Sequence, residues 1–115
     1  FGGKNNKDFL GCYDCSKYES SSICNEYGTH GSQYSSSSIW NDYATYGNRY
    51  SLSSPWNEYS SSDDVPIMVD SAGNFYGYFT INAYRSDAFN QSHQLKAIFE
   101  SVSGDLDKLH DAICN

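Results

Sequence analysis

Residues 22–27 read Ser-Ile-Cys-Asn-Glu-Tyr, residues 38–43 read Ser-Ile-Trp-Asn-Asp-Tyr, and residues 54–59 read Ser-Pro-Trp-Asn-Glu-Tyr. The three segments are evenly spaced, with a period of sixteen and no slippage, and a fixed period of this kind is the signature of a repeat architecture. Each segment continues towards a further tyrosine, so the pattern covers residues 15–62. We therefore expect tandem repeats of this constant length that are rich in serine and tyrosine.

The local chemistry of each unit predicts turns. A serine followed by a position that accepts proline is typical of the N-cap and first residue of a helical turn. The asparagine three residues after that serine can form hydrogen bonds with nearby backbone groups that the turn leaves unpaired. The length of one unit equals the spacing between Ser22 and Ser38, which is too short for the helical hairpin that solenoid repeats usually contain. We therefore expect loop-rich units whose aromatic rings pack on their neighbours, with the serine runs as surface spacers.

The aromatic residues of the repeats admit two interpretations. Mixtures of Tyr, Ser, Gly and Asn are typical of recognition surfaces that bind without a deep pocket. The same rings also suit the core of a small protein that is poor in leucine. Both interpretations stay open at this point. The candidate interaction residues are Tyr27, Tyr34, Trp40, Tyr43, Tyr46, Tyr50, Trp56 and Tyr59.

The segments on either side of the repeats predict a small sheet. A β-hairpin is expected over residues 63–84, because two β-prone runs flank the turn-forming stretch Asp-Ser-Ala-Gly-Asn. An aromatic-x-Gly segment within residues 1–14 is similar to the second strand of that hairpin and is expected to join its sheet. The antiparallel sheet is therefore predicted at about residues 9–13, 66–70 and 75–82.

Residues 85–115 have helical periodicity. Gly104 interrupts the pattern at a cost of about 1 kcal/mol relative to alanine, but it faces away from the apolar stripe, so we expect one long amphipathic helix. The predicted fold class is α+β: a single domain over residues 1–115 with a short antiparallel sheet, one long C-terminal helix, loop-rich repeats and disulfides. The apolar stripe consists of Leu95, Ile98, Val102, Leu106, Leu109 and Ile113.

Four cysteines in a chain of 115 residues indicate two disulfides and an oxidising compartment. Side chains alternate along a strand, so Cys12 and Cys15 are expected to point to opposite faces and not to bond to each other. Each is then expected to pair with Cys24 or Cys114. A redox Cys-x-x-Cys motif and a zinc site are weaker alternatives, because no βαβ pattern and no second Cys-x-x-Cys pair accompany the first.

The charge of the chain argues against two classes of partner. Seven basic and fourteen acidic side chains give a formal net charge of −7, which repels nucleic-acid phosphates, and the basic residues form no patch. No run approaches about 20 consecutive apolar residues, so membrane insertion is not expected. We therefore expect neither nucleic acid nor membrane as a partner.

No arrangement typical of catalysis stands out in the sequence. The histidines are expected on the surface, no serine lies in a Gly-x-Ser-x-Gly or Ser-x-x-Lys motif, and the paired carboxylates are better explained by turns than by a calcium site. We expect no catalytic residue, no metal and no cofactor. The side chains concerned are His30, His93, His110, Asp63, Asp64 and Asp70.

The tandem Ser-Ile-x-Asn-x-Tyr-Gly-x-Tyr-Gly-Ser-x-Tyr-Ser pattern, with an aromatic-x-Gly segment on each side, resembles a family of small secreted bacterial proteins of unknown function. The resemblance covers roughly residues 8–84. The chain departs from it at Ala44 and Asn48, where glycine and serine are more usual, and the last unit decays from Ser60 onward. The resemblance implies secretion and carries over no catalytic residue.

These observations favour a non-enzymatic structural or interaction protein, located outside the cell or in its envelope. We expect it to associate with itself or with other surface proteins through strand edges and aromatic repeats. A heterologous contact of this kind closes into a ring or propagates as a filament or sheath. The alternative is an extracellular glycan-binding module in which Trp40, Trp56 and Tyr46 stack on sugar faces.

Overall fold

Short elements separated by long runs of turns make up the fold. The computed structural model describes all 115 residues of the chain. The fold is α+β with a two-stranded antiparallel sheet and two disulfides, which confirms that part of the predicted fold class. In chain order the elements are a 3-10 turn at Lys4–Asn6, strands β1 (Ile67–Val69) and β2 (Phe75–Tyr78), and helices α1 (Ser92–Ser101) and α2 (Leu106–Cys114).

Residues 15–62 contain no helix and no strand, and consist of consecutive turns. One asparagine in each unit supports the turns. Its Nδ2 donates to the carbonyl six residues earlier at 3.2 Å, and its Oδ1 accepts from the N–H two residues later at 3.0 Å. Both bonds recur at Asn25, Asn41 and Asn57. The asparagine side chains thus satisfy backbone groups that a strand ladder would otherwise pair.

The serine that begins each unit lies inside the protein. Ser22, Ser38 and Ser54 are each 0 % exposed, and each Oγ accepts from the N–H two residues later at 3.0–3.1 Å. These bonds form ST-turns, and no helix begins at the three serines. The serines of the motif are therefore interior turn-formers, in contrast to the surface spacers expected of the serine runs.

The indole side chains connect each unit to the preceding one. Trp40 Nε1 donates to the carbonyl of Ile23 at 2.7 Å, and Trp56 Nε1 donates to that of Ile39 at 2.6 Å. The two indole rings stack with centroids 5.5 Å apart. A buried indole N–H requires an acceptor, and here the acceptor lies in the neighbouring unit. The indoles therefore hold successive units in register.

Glycine is required at one position of the repeat. A Cβ at Gly31 would overlap the backbone of Asn25, and a Cβ at Gly47 would overlap that of Asn41 in the same way. The chain therefore approaches itself too closely for any side chain at this point of the unit. The equivalent position of the next unit is Asp63, where the repeat pattern ends.

The prediction of one long helix is wrong. Ser103 and Gly104 have φ angles of 54° and 74°, a left-handed conformation that glycine adopts without strain and that ends α1. Asp105 then caps α2, because its carboxylate accepts from the N–H groups of Asp107 at 3.0 Å and Lys108 at 3.3 Å. The apolar spacing continues across the break, so both helices turn apolar residues to the core.

The predicted strand at residues 9–13 does not join the sheet. The N–H of Cys12 donates to the carbonyl of Ser21 at 2.7 Å, and the N–H of Ile23 donates to the carbonyl of Cys12 at 3.0 Å. This segment therefore pairs with the repeats. β1 pairs only with β2, with Ile67 opposite Tyr78.

The outer edges of the two strands are partly occupied. The N–H of Ile67 donates to the carbonyl of Phe1 at 2.7 Å. On the other edge, Tyr78 exchanges backbone bonds of 2.9 Å with Asp87 and Phe89. Each edge of this short sheet is therefore already paired at one residue within the chain, which leaves less of it for the association through strand edges expected from the sequence.

The core lies between the repeats and the helices. Phe99 of α1 stacks on Trp56 with centroids 5.9 Å apart, and His110 of α2 packs edge-on against Trp40 at 4.9 Å. The repeats thus contribute their indoles to a core that the helices complete. The buried cluster consists of Leu10, Ile23, Ile39, Trp40, Tyr46, Trp56, Phe79, Ile81, Phe89, Leu95, Phe99, Leu106 and Leu109.

The disulfides join Cys12 to Cys15 and Cys24 to Cys114. The prediction that Cys12 and Cys15 do not bond is wrong. It assumed an extended strand, whereas residues 12–15 form a bend that brings the two Cα atoms to 5.5 Å. Cys24 occupies the position that tryptophan holds in the next two units, and its side chain therefore faces the helices.

Asp70 organises the hairpin turn. Its carboxylate accepts from the N–H groups of Ala72 and Asn74, from the Asn74 amide and from the Tyr76 hydroxyl, at 2.8–2.9 Å. These bonds stabilise the charged form, and those from the Asn74 and Tyr76 side chains contribute most. They lower the pKa of Asp70 from 3.8 to about 2.

We expect the Asp70 carboxyl to titrate at about pH 2 in a carbon-detected NMR titration. A depressed folded-state pKa contributes stability that is present above the unfolded value of 3.8 and is lost as the pH falls towards 2. Tyr76→Phe removes one donor and should move the pKa part of the way back. Titration of Asp70 near its ordinary value in the wild-type protein would contradict the turn geometry.

Candidate functional site

Six tyrosines of the repeats project into solvent, and the repeat period sorts them into two series, each of which we call a row. We call Tyr27, Tyr43 and Tyr59, exposed by 93, 98 and 84 %, the acidic row, for reasons given below. The basic row consists of Tyr18, Tyr34 and Tyr50, each exposed by 83 %. Tyrosine supplies a large, rigid and amphipathic contact area, and residues of this kind are enriched where proteins meet. The two rows are therefore the candidate functional site.

Local hydrogen bonds position both rows. Each tyrosine of the acidic row donates its N–H to the Oδ1 of the unit's asparagine at 3.0 Å. The N–H groups of Tyr18 and Tyr34 donate to serine Oγ atoms, and that of Tyr50 donates to the Oδ1 of Asn48, at 2.9–3.3 Å. The turn that places the tryptophan inside the protein thus places the tyrosines outside it.

An acidic residue precedes every tyrosine of the acidic row. These residues are Glu26, Asp42 and Glu58. Burial, together with the neighbouring carboxylates of Asp107 and Asp105, raises the pKa of Asp42. Negative charge from the start of α2 therefore lies near Asp42. The Asp107 carboxylate also accepts from the Gln33 amide at 2.9 Å, so this charge lies between the middle residues of the two rows.

The basic row has the opposite flank. Lys17 precedes Tyr18, Gln33 precedes Tyr34 and Arg49 precedes Tyr50. The Lys17 Nζ lies 5.6 Å from the ring centroid of Tyr18, and the Arg49 guanidinium lies 5.9 Å from that of Tyr50. Tyr18 was not among the predicted interaction residues, although it lies one repeat period before Tyr34. The charge alternation has the same period and is the signal that could have found it.

The remaining three predicted interaction residues lie in the core. Trp40, Trp56 and Tyr46 are 2, 1 and 6 % exposed. The Tyr46 hydroxyl donates to the carboxylate of Asp8, and burial together with this bond raises the pKa of Tyr46. The repeats therefore separate the two interpretations by residue type, because tryptophan builds the core and five of the six predicted tyrosines face solvent.

The three histidines lie in different environments. His30 Nδ1 lies 3.0 Å from the carbonyl of Ser37, and His93 is exposed at the start of α1. His110 is buried, and its Nε2 has no hydrogen-bond partner. The expectation that all three lie on the surface is therefore wrong for His110.

Two of the carboxylates considered for calcium have partners within the protein. Asp63 lies 3.8 Å from the Arg85 guanidinium, and the oxygens of Asp70 accept the turn bonds described above. The ligand atoms of Cys12, Asp14 and Cys15 lie within 4.8 Å of one another. The two sulfurs of that group are bonded to each other, so they are not thiolate ligands in this form of the protein.

No protein-family model, curated protein or solved structure matches the chain. The resemblance to small secreted bacterial proteins therefore stays a prediction.

None of the helices combines the length and the apolar character that crossing a bilayer requires. The two disulfides are compatible with an extracellular location, where such bonds persist.

Proposed function

We propose that this chain is a non-enzymatic secreted or cell-surface interaction protein that associates with itself through its two tyrosine rows. The observation that carries the proposal is the charge of the residue that precedes each tyrosine, which is acidic in one row and mostly basic in the other. Three carboxylates precede the tyrosines of the acidic row, whereas two cations and an amide precede those of the basic row, in which Glu19 follows Tyr18. Two copies therefore present complementary surfaces to each other.

Contact between the acidic row of one copy and the basic row of the next would remove exposed phenol rings from water. Apolar burial supplies the free energy, and the opposite charges supply orientation and register. Contact between two acidic rows would oppose like charges, which disfavours that arrangement. The tyrosine rows suit such a contact better than the strand edges, because β1 and β2 are short and their outer groups are partly used.

The first test replaces the three tyrosines of the acidic row together, as Tyr27→Ser, Tyr43→Ser and Tyr59→Ser. We expect the wild-type protein to form concentration-dependent multimers in analytical ultracentrifugation. The triple variant should weaken association by about 100-fold, on the basis of about 1 kcal/mol for each interfacial tyrosine. Its circular dichroism should not change, because the three rings are exposed.

Tyr84→Ser is the matched control, because Tyr84 is 87 % exposed and lies outside the repeats. It should associate like the wild-type protein. Lys17→Glu should also weaken association, and added salt should weaken it in the wild-type protein by screening. Multimers that persist in the triple variant, or a wild-type protein that remains monomeric at every concentration, would contradict the proposal.

In the glycan-binding alternative, the sugar-stacking residues are Trp40, Trp56 and Tyr46, and all three are buried. Sugar rings would therefore have to stack on exposed rings instead, of which the tyrosine rows hold the largest group. A monomeric protein that binds a polysaccharide with saturation, and loses that binding in the triple variant, would favour this function instead.

A further inference from the structure

The two disulfides differ in what they hold together. Cys24 and Cys114 pack against the buried core and lie 90 residues apart in the chain. Cys12 and Cys15 lie outside that cluster and are separated by only three positions. Opening the Cys12–Cys15 bond therefore releases one short bend and leaves the long cross-link intact.

The bend itself has other supports. The Oγ of the buried Ser22 donates to the carbonyl of Cys15 at 3.2 Å. Backbone bonds of 2.7 and 3.0 Å join Cys12 to Ser21 and Ile23. These hydrogen bonds hold the backbone of both cysteines in position without the sulfur–sulfur bond. The disulfide can therefore form again from the dithiol without a change in the backbone.

Of the two cysteines in this bond, only Cys12 lines an apolar groove. The groove has a volume of about 480 Å³ and lies between residues 9–14 and 66–71. Cys12 is part of its wall, together with Phe9, Met68 and Val69, and Cys15 is not. A thiol that enters the groove therefore meets Cys12 first.

We propose that Cys12–Cys15 is a thiol-exchange site, at which an incoming thiolate attacks the Sγ of Cys12 and expels Cys15. The new bond joins the incoming sulfur to Cys12 Sγ, and the Cys12–Cys15 bond breaks with its electron pair on Cys15 Sγ. Cys15 then takes a proton from water. A second thiolate then attacks the incoming sulfur, and the bond from that sulfur to Cys12 breaks with its electron pair on Cys12 Sγ, which takes a proton from water. An external disulfide is released, so two thiols are oxidised as the protein disulfide is reduced to a dithiol.

The charge next to Cys12 supports this direction of opening. The Oδ1 of Asp14 lies 3.6 Å from Cys12 Sγ. This is a contact and not a hydrogen bond, because a disulfide sulfur carries no hydrogen. The carboxylate slows the approach of any anionic thiolate, and it also disfavours a departing thiolate on Cys12, so we assign the leaving thiolate to Cys15.

The test treats the intact protein with glutathione, quenches with acid, alkylates free thiols and maps the peptides by mass spectrometry. We expect Cys12–Cys15 to open at least about 10 times faster than Cys24–Cys114, with unchanged circular dichroism. The mixed disulfide should be found on Cys12, with Cys15 alkylated. Opening of Cys24–Cys114 at the same or a faster rate would overturn the proposal, and a mixed disulfide on Cys15 would overturn the assignment of the attacked sulfur.

Asp14→Asn provides a variant that leaves both disulfides in place. Removing a charge 3.6 Å from the attacked sulfur should accelerate the reaction with glutathione by about fivefold at low salt. The gain should shrink as salt is added. Glu100→Gln removes an exposed charge at the end of α1 and should leave the rate unchanged. Equal rates for Asp14→Asn and the wild-type protein would contradict the role of the carboxylate.

The source of the thiol is distinguished by a second probe. A short peptide with one cysteine between two phenylalanines is compared with glutathione after both rates are corrected for the thiol pKa. The peptide should react faster if the groove receives peptide thiols. Val69→Asp adds a charge to the groove wall and should remove that preference. Equal rates for both probes would assign the site to small-molecule thiols.

Discussion

Replacing Cys24 and Cys114 by serine is expected to lower the free energy of unfolding by about 4.5 kcal/mol, the largest effect of any change considered. The bond joins residues 90 positions apart, and the chain-entropy model attributes this amount to a loop of that length. The bond also ties the first repeat to the end of α2, across the core that both elements share. Urea unfolding followed by tryptophan fluorescence measures the loss.

The matched control is the double replacement Cys12→Ser and Cys15→Ser. Its loop spans three positions, for which the same model gives about 2 kcal/mol. A loss in the Cys24 and Cys114 variant no greater than in this control would show that the long loop is constrained by other contacts.

Trp56→Ala is expected to lower the free energy of unfolding by about 4 kcal/mol, within the range for truncation of a buried large aromatic side chain. Trp56 is 1 % exposed and stacks between Trp40 and Phe99 at 5.5 and 5.9 Å. Truncation also leaves the carbonyl of Ile39 without the donor it now has at 2.6 Å. Such a loss is a large part of the stability of a small domain.

Two further variants keep this prediction testable if Trp56→Ala does not fold. Trp56→Phe retains a stacked ring and removes the N–H, so it should cost about 1–2 kcal/mol. Tyr59→Ala removes a ring that is 84 % exposed and should change stability by no more than about 0.5 kcal/mol. Comparable losses at Trp56 and Tyr59 would contradict the separation of the aromatic residues into core and surface.

The repeat period and the α+β class could be predicted because each depends on short-range pattern. The break between the helices could not, because spacing alone does not distinguish a glycine facing solvent from a glycine in a left-handed turn. Gly104 is such a turn residue, with a φ of 74°. The chain enters it through Ser103, which also has a positive φ.

The cysteine pairing could not be predicted for a related reason. Alternation of side chains applies only within a strand, and residues 9–13 pair with the repeats instead of the sheet. A signal was present at Cys24, which shares its repeat position with Trp40 and Trp56. Cysteine and tryptophan share a preference for buried positions, so this substitution pattern indicates an inward-facing site.

The candidate site was predicted in part. Five of its six tyrosines were named from the period, but the period does not report burial and so grouped them with three core residues. Neighbouring charge separates the two sets, since an acidic or a basic flank keeps a residue near water. Acidic and basic residues alternate before successive tyrosines along the chain. This alternation identifies the site only when the two rows are treated as separate surfaces.

The indole bonds between units have a consequence for the length of the array. Each complete unit brings one new donor, the tryptophan N–H, and one new acceptor, the carbonyl one residue before its own tryptophan. A tandem duplication of one whole unit would therefore add one indole donor and one carbonyl acceptor together, so growth by whole units leaves this set of hydrogen bonds complete. The first unit ends the series on one side, because a cysteine without an indole donor stands where the tryptophan would be.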